Sequence, residues 1–175
     1  MRIGGVEELV ALLDEHNRVC GAAPRSRVRR ENLRHSATGV LVRNSRGDIY
    51  VHRRTVTKDV FPGLYDMMAG GVIAYGENPY DAAVRELAEE LGITGVELVA
   101  LPEGDYRDDD TVYHAYLYSC VWDGLVRHQP EEVDWGDWLS PAELVAHLDD
   151  WPFVPDSRLL LTPLLRTLAA SPDDG

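Results

Sequence analysis

At 175 residues, 45% hydrophobic and 27% charged, the chain has the length and composition of one globular domain, 1–175, with a real core. Its formal net charge of −13 argues against a duplex nucleic-acid partner, because phosphates would be repelled without a compensating basic face, whereas a small phosphorylated molecule could still bind through a metal. No apolar run is long enough for a membrane span, the first residues lack the basic start and apolar core of a signal peptide, and Cys20 and Cys120 sit in no metal-type spacing, so a reducing cytoplasm is the expected setting.

In chain order, Leu9–Leu13 and Val19–Ala23 flank the turn Glu15-His16-Asn17-Arg18 and predict a leading β-hairpin over 9–24. Ser26–Arg34 is polar and reads as a short helix or a loop. Thr38–Arg43 and Ile49–Arg53 read as strands joined by the turn Asn44-Ser45-Arg46-Gly47. A Pro62-Gly63 turn follows, then the apolar, glycine-rich Met67–Ala74. Pro79–Leu91 has no internal glycine or proline and reads as a helix. Val96–Leu101, Thr111–Trp122 and Trp135–Leu139 read as strands, with Cys120 a buried strand residue. Ser140 and Pro141 make a good start for a helix over Pro141–His147. Ser157–Ala170 predicts an amphipathic terminal helix, and 171–175 a frayed acidic tail. The pattern implies an α/β (α+β) fold, a mixed sheet with helices on both faces.

The chemistry concentrates in residues 71–93. On the helix, Glu86 lies three residues from Glu89 and four from Glu90, separations that make side chains surface neighbours. Three carboxylates on one helical face repel one another unless something positive sits on them, and clustered hard oxygens suit Mg²⁺ or Mn²⁺. Gly71, five residues, Glu77, seven residues, then Arg85-Glu86-Leu87-Ala88-Glu89-Glu90-Leu91-Gly92-Ile93 resembles a complete Nudix box, with every specified position filled. The resemblance implies a Nudix fold, an α/β/α sandwich in which the box forms a loop–helix–loop.

It also implies roles. Glu86, Glu89 and Glu90, with the backbone carbonyl of Gly70, would hold the divalent cation. Arg85 would hold box carboxylates by charge-assisted hydrogen bonds, with Glu77 its partner. Gly71 and Gly92 suit a tight entry turn and a helix end. Such a site hydrolyses a diphosphate linkage, with a carboxylate taking the proton from water. The base would be Glu89, Glu90 or an off-box residue. Glu132, just before a strand, is the off-box candidate, with His114 and His128 weaker ones. Tyr65, Tyr75, Tyr106, Tyr113 and Trp135 are candidates for stacking on a base, although aromatics in strands usually fill the core.

The segment from Val51 to Gly63 is similar to the isopentenyl-diphosphate isomerase branch of the same superfamily, as are Leu13-Asp14-Glu15-His16-Asn17 and Arg34-His35. That likeness implies diphosphate contacts from Arg54 and from Lys58, the only lysine in the chain. The branch's catalytic cysteine and histidine align with Gly70 and Val72, which can neither donate nor accept a side-chain proton. The expected activity is therefore Mg²⁺-dependent hydrolysis of a nucleoside diphosphate derivative or a similar small molecule. An isomerase-like enzyme and a non-catalytic nucleotide-sensing domain are the alternatives. A homodimer is a further expectation.

Overall fold

The computed structural model describes residues 6–171. The first strands, β1 (Leu9–Leu13) and β2 (Val19–Pro24), pair antiparallel as the expected hairpin. Asp14 closes its turn by accepting the His16 and Arg18 amides. The polar segment after it becomes helix α1 (Arg25–Glu31), which stops where Asn32 turns left-handed at φ 46°. Strands β3 (His35–Arg43) and β4 (Ile49–Arg54) follow, joined by a turn in which Asn44 Oδ1 accepts two amides and Gly47 sits at φ 86°. Next come β5 (Tyr65–Asp66), β6 (Ala69–Val72), helix α2 (Pro79–Leu91), β7 (Val99–Ala100), β8 (Gly104–Arg107), β9 (Val112–Val121), β10 (Val133–Leu139), α3 (Pro141–His147) and α4 (Pro155–Ala170).

The main sheet runs β10-β4-β3-β1-β2. β5 adds to β4, β6 adds to β3, and β7 and β8 both pair with β9. β9 lies parallel to β3, with His35 opposite Tyr113 and Arg43 opposite Val121, while the other pairs are antiparallel. The sheet is therefore mixed, as expected.

Some differences from the sequence reading concern strands. The strand expected over Val96–Leu101 shrinks to Val99–Ala100, and β8 is an unforeseen strand of its own. Leu101 still donates to Leu117 O, but Pro102 has no amide hydrogen with which to continue the ladder. The chain resumes pairing with β9 two residues later. The terminal helix starts at Pro155 rather than Ser157, because proline suits the first helical position. Of the expected acidic tail, only Ser171 is among the described residues.

Successive strand residues face opposite sides, and each side is covered. Ala37, Leu41, Ile49 and Val51 pack with Leu144 of α3 and with Leu161 and Leu165 of α4. Val40, Val42, Tyr50 and Cys120 pack with Ala83, Leu87 and Leu91 of α2. Those three α2 residues recur every four positions, one apolar stripe, which leaves the glutamates on the neighbouring stripe facing the cleft beside β6.

Candidate functional site

Helix α2 is fixed at both ends by local chemistry. Asn78 Oδ1 accepts the Asp81 amide, Pro79 opens the helix, and Gly92 closes it at φ 65°. The glycines before the helix have steric reasons. A β-carbon on Gly70 would lie 2.0 Å from Thr38 O, so β6 could not approach β3. One on Gly71 would lie 2.7 Å from a Glu86 carboxylate oxygen. Gly71 thus leaves the space that the Glu86 carboxylate occupies.

Arg85 ties the box together. It donates to both oxygens of Glu77 at 2.9 and 3.0 Å and to Glu86 Oε1 at 2.7 Å, and its charge lies 3.6 Å from Glu89. Glu77 in turn accepts the Ala74 amide at 3.2 Å. The Arg85 hydrogen bonds lower the Glu77 carboxyl below its ordinary range. A bidentate guanidinium–carboxylate pair of this kind fixes the entry loop to the helix.

The remaining glutamates differ in environment. Glu89 is the most open, its side chain 42% exposed. Glu86 is largely buried, and burial raises its carboxyl despite Arg85. Glu90 is fully enclosed and accepts the Gly70 amide at 3.3 Å. Burial first, then the Glu86 charge, push it up to about 8. His52 lies behind it, Nε2 4.0 Å from Glu90 Oε2, with neither ring nitrogen hydrogen-bonded. Burial first, then the Arg54 charge, hold that imidazole down to about 3, so it is neutral.

Glu86, Glu89 and Glu90 line a cleft of about 660 Å³ together with Gly70, Gly71, Lys58 and Glu132. Lys58 donates to Glu132, which is how the distant loop meets the box. Beyond Gly70 and Gly71 a smaller pocket of about 90 Å³ continues, lined by Arg54, Met68, Tyr113, Leu117 and Asp156 among others. Arg54 donates to Val60 O at 2.9 and 3.1 Å and lies 3.7 Å from the buried Asp66. The donor set of three carboxylates, two of them raised by burial, fits a hard divalent cation. Among the described residues no three His, Cys, Asp or Glu side chains already converge as a finished ligand sphere. The side chains would have to close on the ion.

The other sequence candidates lie elsewhere. His114 bridges Asp105 and Glu103 at 2.9 and 2.7 Å, and His128 meets the Tyr50 hydroxyl at 2.6 Å; neither lines the cleft. Tyr65 packs among Trp135, Trp151 and Phe153, and Tyr106 is buried over Asp108. Tyr75 is exposed, and of the five aromatic candidates Tyr113 alone lines the inner pocket. Cys120 is buried, its thiol pushed up to about 11. Sequence reasoning missed Arg25, Glu8 and Gln129, which also line the cleft. The only signal for Arg25 was its place beside a basic segment whose structure was open.

Comparison with known proteins shows the family and the fold. The family model described as NUDIX domain matches residues 33–159. A Nudix hydrolase of Rhodococcus erythropolis is 45% identical, spanning 89% of this chain and 90% of its own. The Nudix hydrolase YfcD of Escherichia coli K12 is 40% identical, spanning 86% and 82%. A crystal structure from Deinococcus radiodurans superposes with a TM-score of 0.74 at 26% identity, covering 92% of this chain and 99% of that one. The MutT protein of Methanosarcina mazei shares the fold, with a TM-score of 0.66 at 20% identity over 77% and 94%. No helix among the described residues is long and apolar enough to cross a membrane.

Proposed function

The chain belongs to the Nudix hydrolases, and from that premise we propose that it cleaves a diphosphate linkage in a small phosphorylated molecule, with Mg²⁺ or Mn²⁺ at the box glutamates. The observation that carries this is the single cleft that gathers Glu86, Glu89, Glu90, Lys58 and Glu132 around Gly70 and Gly71.

When bound, the cation would neutralise phosphate charge and make a water more acidic. Glu86, Glu89 and Glu90 would hold it, with the Gly70 backbone beside them. Arg85 keeps Glu77 and Glu86 in place and is a positioning residue. Glu89, exposed to the cleft, or Glu132 would take the proton from water. Glu132 is held by Lys58, so it is available as a base once Lys58 turns to phosphate. Lys58 and Arg54 would then contact the diphosphate. A nucleoside diphosphate derivative fits this arrangement, the Tyr113 pocket taking the group beyond the phosphates.

The isomerase alternative has less support. Gly70 and Val72 offer no acid–base pair, and Cys120 is in β9 on the α2 face with a raised thiol. The likeness of the Arg54–Lys58 segment to that branch supports a diphosphate contact rather than isomerisation.

The test is hydrolysis over a panel of nucleoside di- and triphosphates, nucleotide sugars, dinucleotides, coenzyme A and isopentenyl diphosphate, with and without Mg²⁺. Glu89→Gln and Glu90→Gln should each lower turnover by orders of magnitude while leaving the folded spectrum intact. Unchanged activity in both variants would remove the metal assignment, and ligand binding without turnover would favour a sensing domain.

A further inference from the structure

Helix α1 brings two arginines to the edge of the site. Arg25 and Arg29 are four residues apart and so share one helical face. Arg25 lines both the box cleft and the inner pocket, and Arg29 lines the inner pocket. Arg54 and Lys58 line that pocket as well, so three guanidiniums and one ammonium border a single space.

The α1 pair differs from the other two cations in its bonding. Arg54 is committed to Val60 O, and Lys58 to Glu132. Arg25 and Arg29 share one carboxylate, Asp59, at 3.6 and 3.7 Å, and Asp59 is half exposed. Arg25 also lies 3.7 Å from Glu8. All three contacts are longer than charge-assisted hydrogen bonds. Arg29 Nε is enclosed and has no hydrogen-bond partner. Burial is the first reason the Arg29 proton is held less tightly, and the charges of Arg25 and Arg54 add to it against the pull of Asp59. Enclosed guanidinium donors left without a partner are costly, and a planar fork matches the oxygens of a phosphoryl group.

We infer that Arg25 and Arg29 form an anion subsite for a phosphoryl group lying outside the metal-held diphosphate. For the substrate this rests on the diphosphate-hydrolase reading: the preferred compound carries a further phosphate on the part that reaches past Gly70 and Gly71. Asp59 is the resident counter-ion that the phosphoryl group displaces.

The subsite needs no metal, so it can be tested without turnover. Inorganic pyrophosphate is titrated calorimetrically into the apoprotein in EDTA. The wild type should bind it. Arg25→Gln and Arg29→Gln should each weaken binding about tenfold, the loss expected for a charge-assisted hydrogen bond. Arg29→Lys should fall between, and Asp59→Asn should tighten binding. Glu89→Gln, which removes a negative charge from the cleft that Arg25 also lines, should bind pyrophosphate at least as tightly as wild type while abolishing hydrolysis, which separates failure of the subsite from failure of the hydrolase assignment. Equal affinity in wild type and both arginine variants, or no binding by wild type, overturns the inference. So does an Asp59→Asn protein that melts lower without binding more tightly, because the arginines would then serve only to pin α1 to the 55–64 loop.

Discussion

Glu90 and His52 face each other in the least hydrated part of the site, and both are held neutral by burial. For Glu90 the consequence for stability has a definite sign. Its carboxyl is raised from an ordinary 4.5 to about 8. Below about 4.5 it is protonated in folded and unfolded chains alike. Between about 4.5 and 8 the unfolded chain gives up a proton that the folded protein retains, so stability falls as pH rises through that window and levels off above it. Urea unfolding in EDTA should show this decline from about pH 7 to 8.5, above the range in which His35 and His52, held neutral by burial at about 4 and about 3, add stability with rising pH, and Glu90→Gln should make it shallower. Asp156, raised to about 6 by burial and by Asp66, contributes in the same direction only below that pH, where His35 and His52 oppose it. Cation binding needs the ionised carboxylate and should therefore release protons near neutral pH.

At the level of elements, α2 owes its position to its cap as well as its stripe. Asn78→Ala should remove the hydrogen bond to Asp81 and destabilise the protein by about 1 kcal/mol, lowering Tm by about 2–4 °C in a thermal melt. Activity measured well below Tm should hardly change, since the glutamates lie beyond the first turn. The bounds of α2 and α3 were legible in the sequence because their signals are local. Pro79 and Gly92 bracket one helix, and Ser140 with Glu143 makes a capping box for the other. β5 and β8 were not legible. Tyr65–Asp66 is too short to show a pattern, and Gly104–Arg107 is a strand only because β9 offers it an edge. Within the site, the Arg85–Glu77 pair was implied by the resemblance to the Nudix box. The approach of Arg25 and Arg29 was not, because it depends on how α1 docks across the hairpin.

Across the described residues the sheet separates its two largest apolar clusters, which should fail differently. Leu87 anchors α2 on one face, and Leu165 anchors α4 on the other; both are buried. Leu87→Ala and Leu165→Ala should each cost about 2–5 kcal/mol in chemical denaturation. Leu87→Ala should also weaken Mg²⁺ binding by calorimetry, because the box glutamates ride on α2, whereas Leu165→Ala should leave it nearly unchanged. The parallel pairing of β3 with β9 has a consequence in time. It joins residues 78 apart in the chain, as at Thr38 and Tyr116, and β6 with Gly70 and Gly71 lies along the other edge of β3. Closing so long a loop is entropically slow. During synthesis the entire box is made before β9 exists, so a ribosome-bound chain can carry every box glutamate and still lack the strand that completes the sheet behind them. Competence for the cation should arrive late and abruptly, with the long-range closure rather than with the helix.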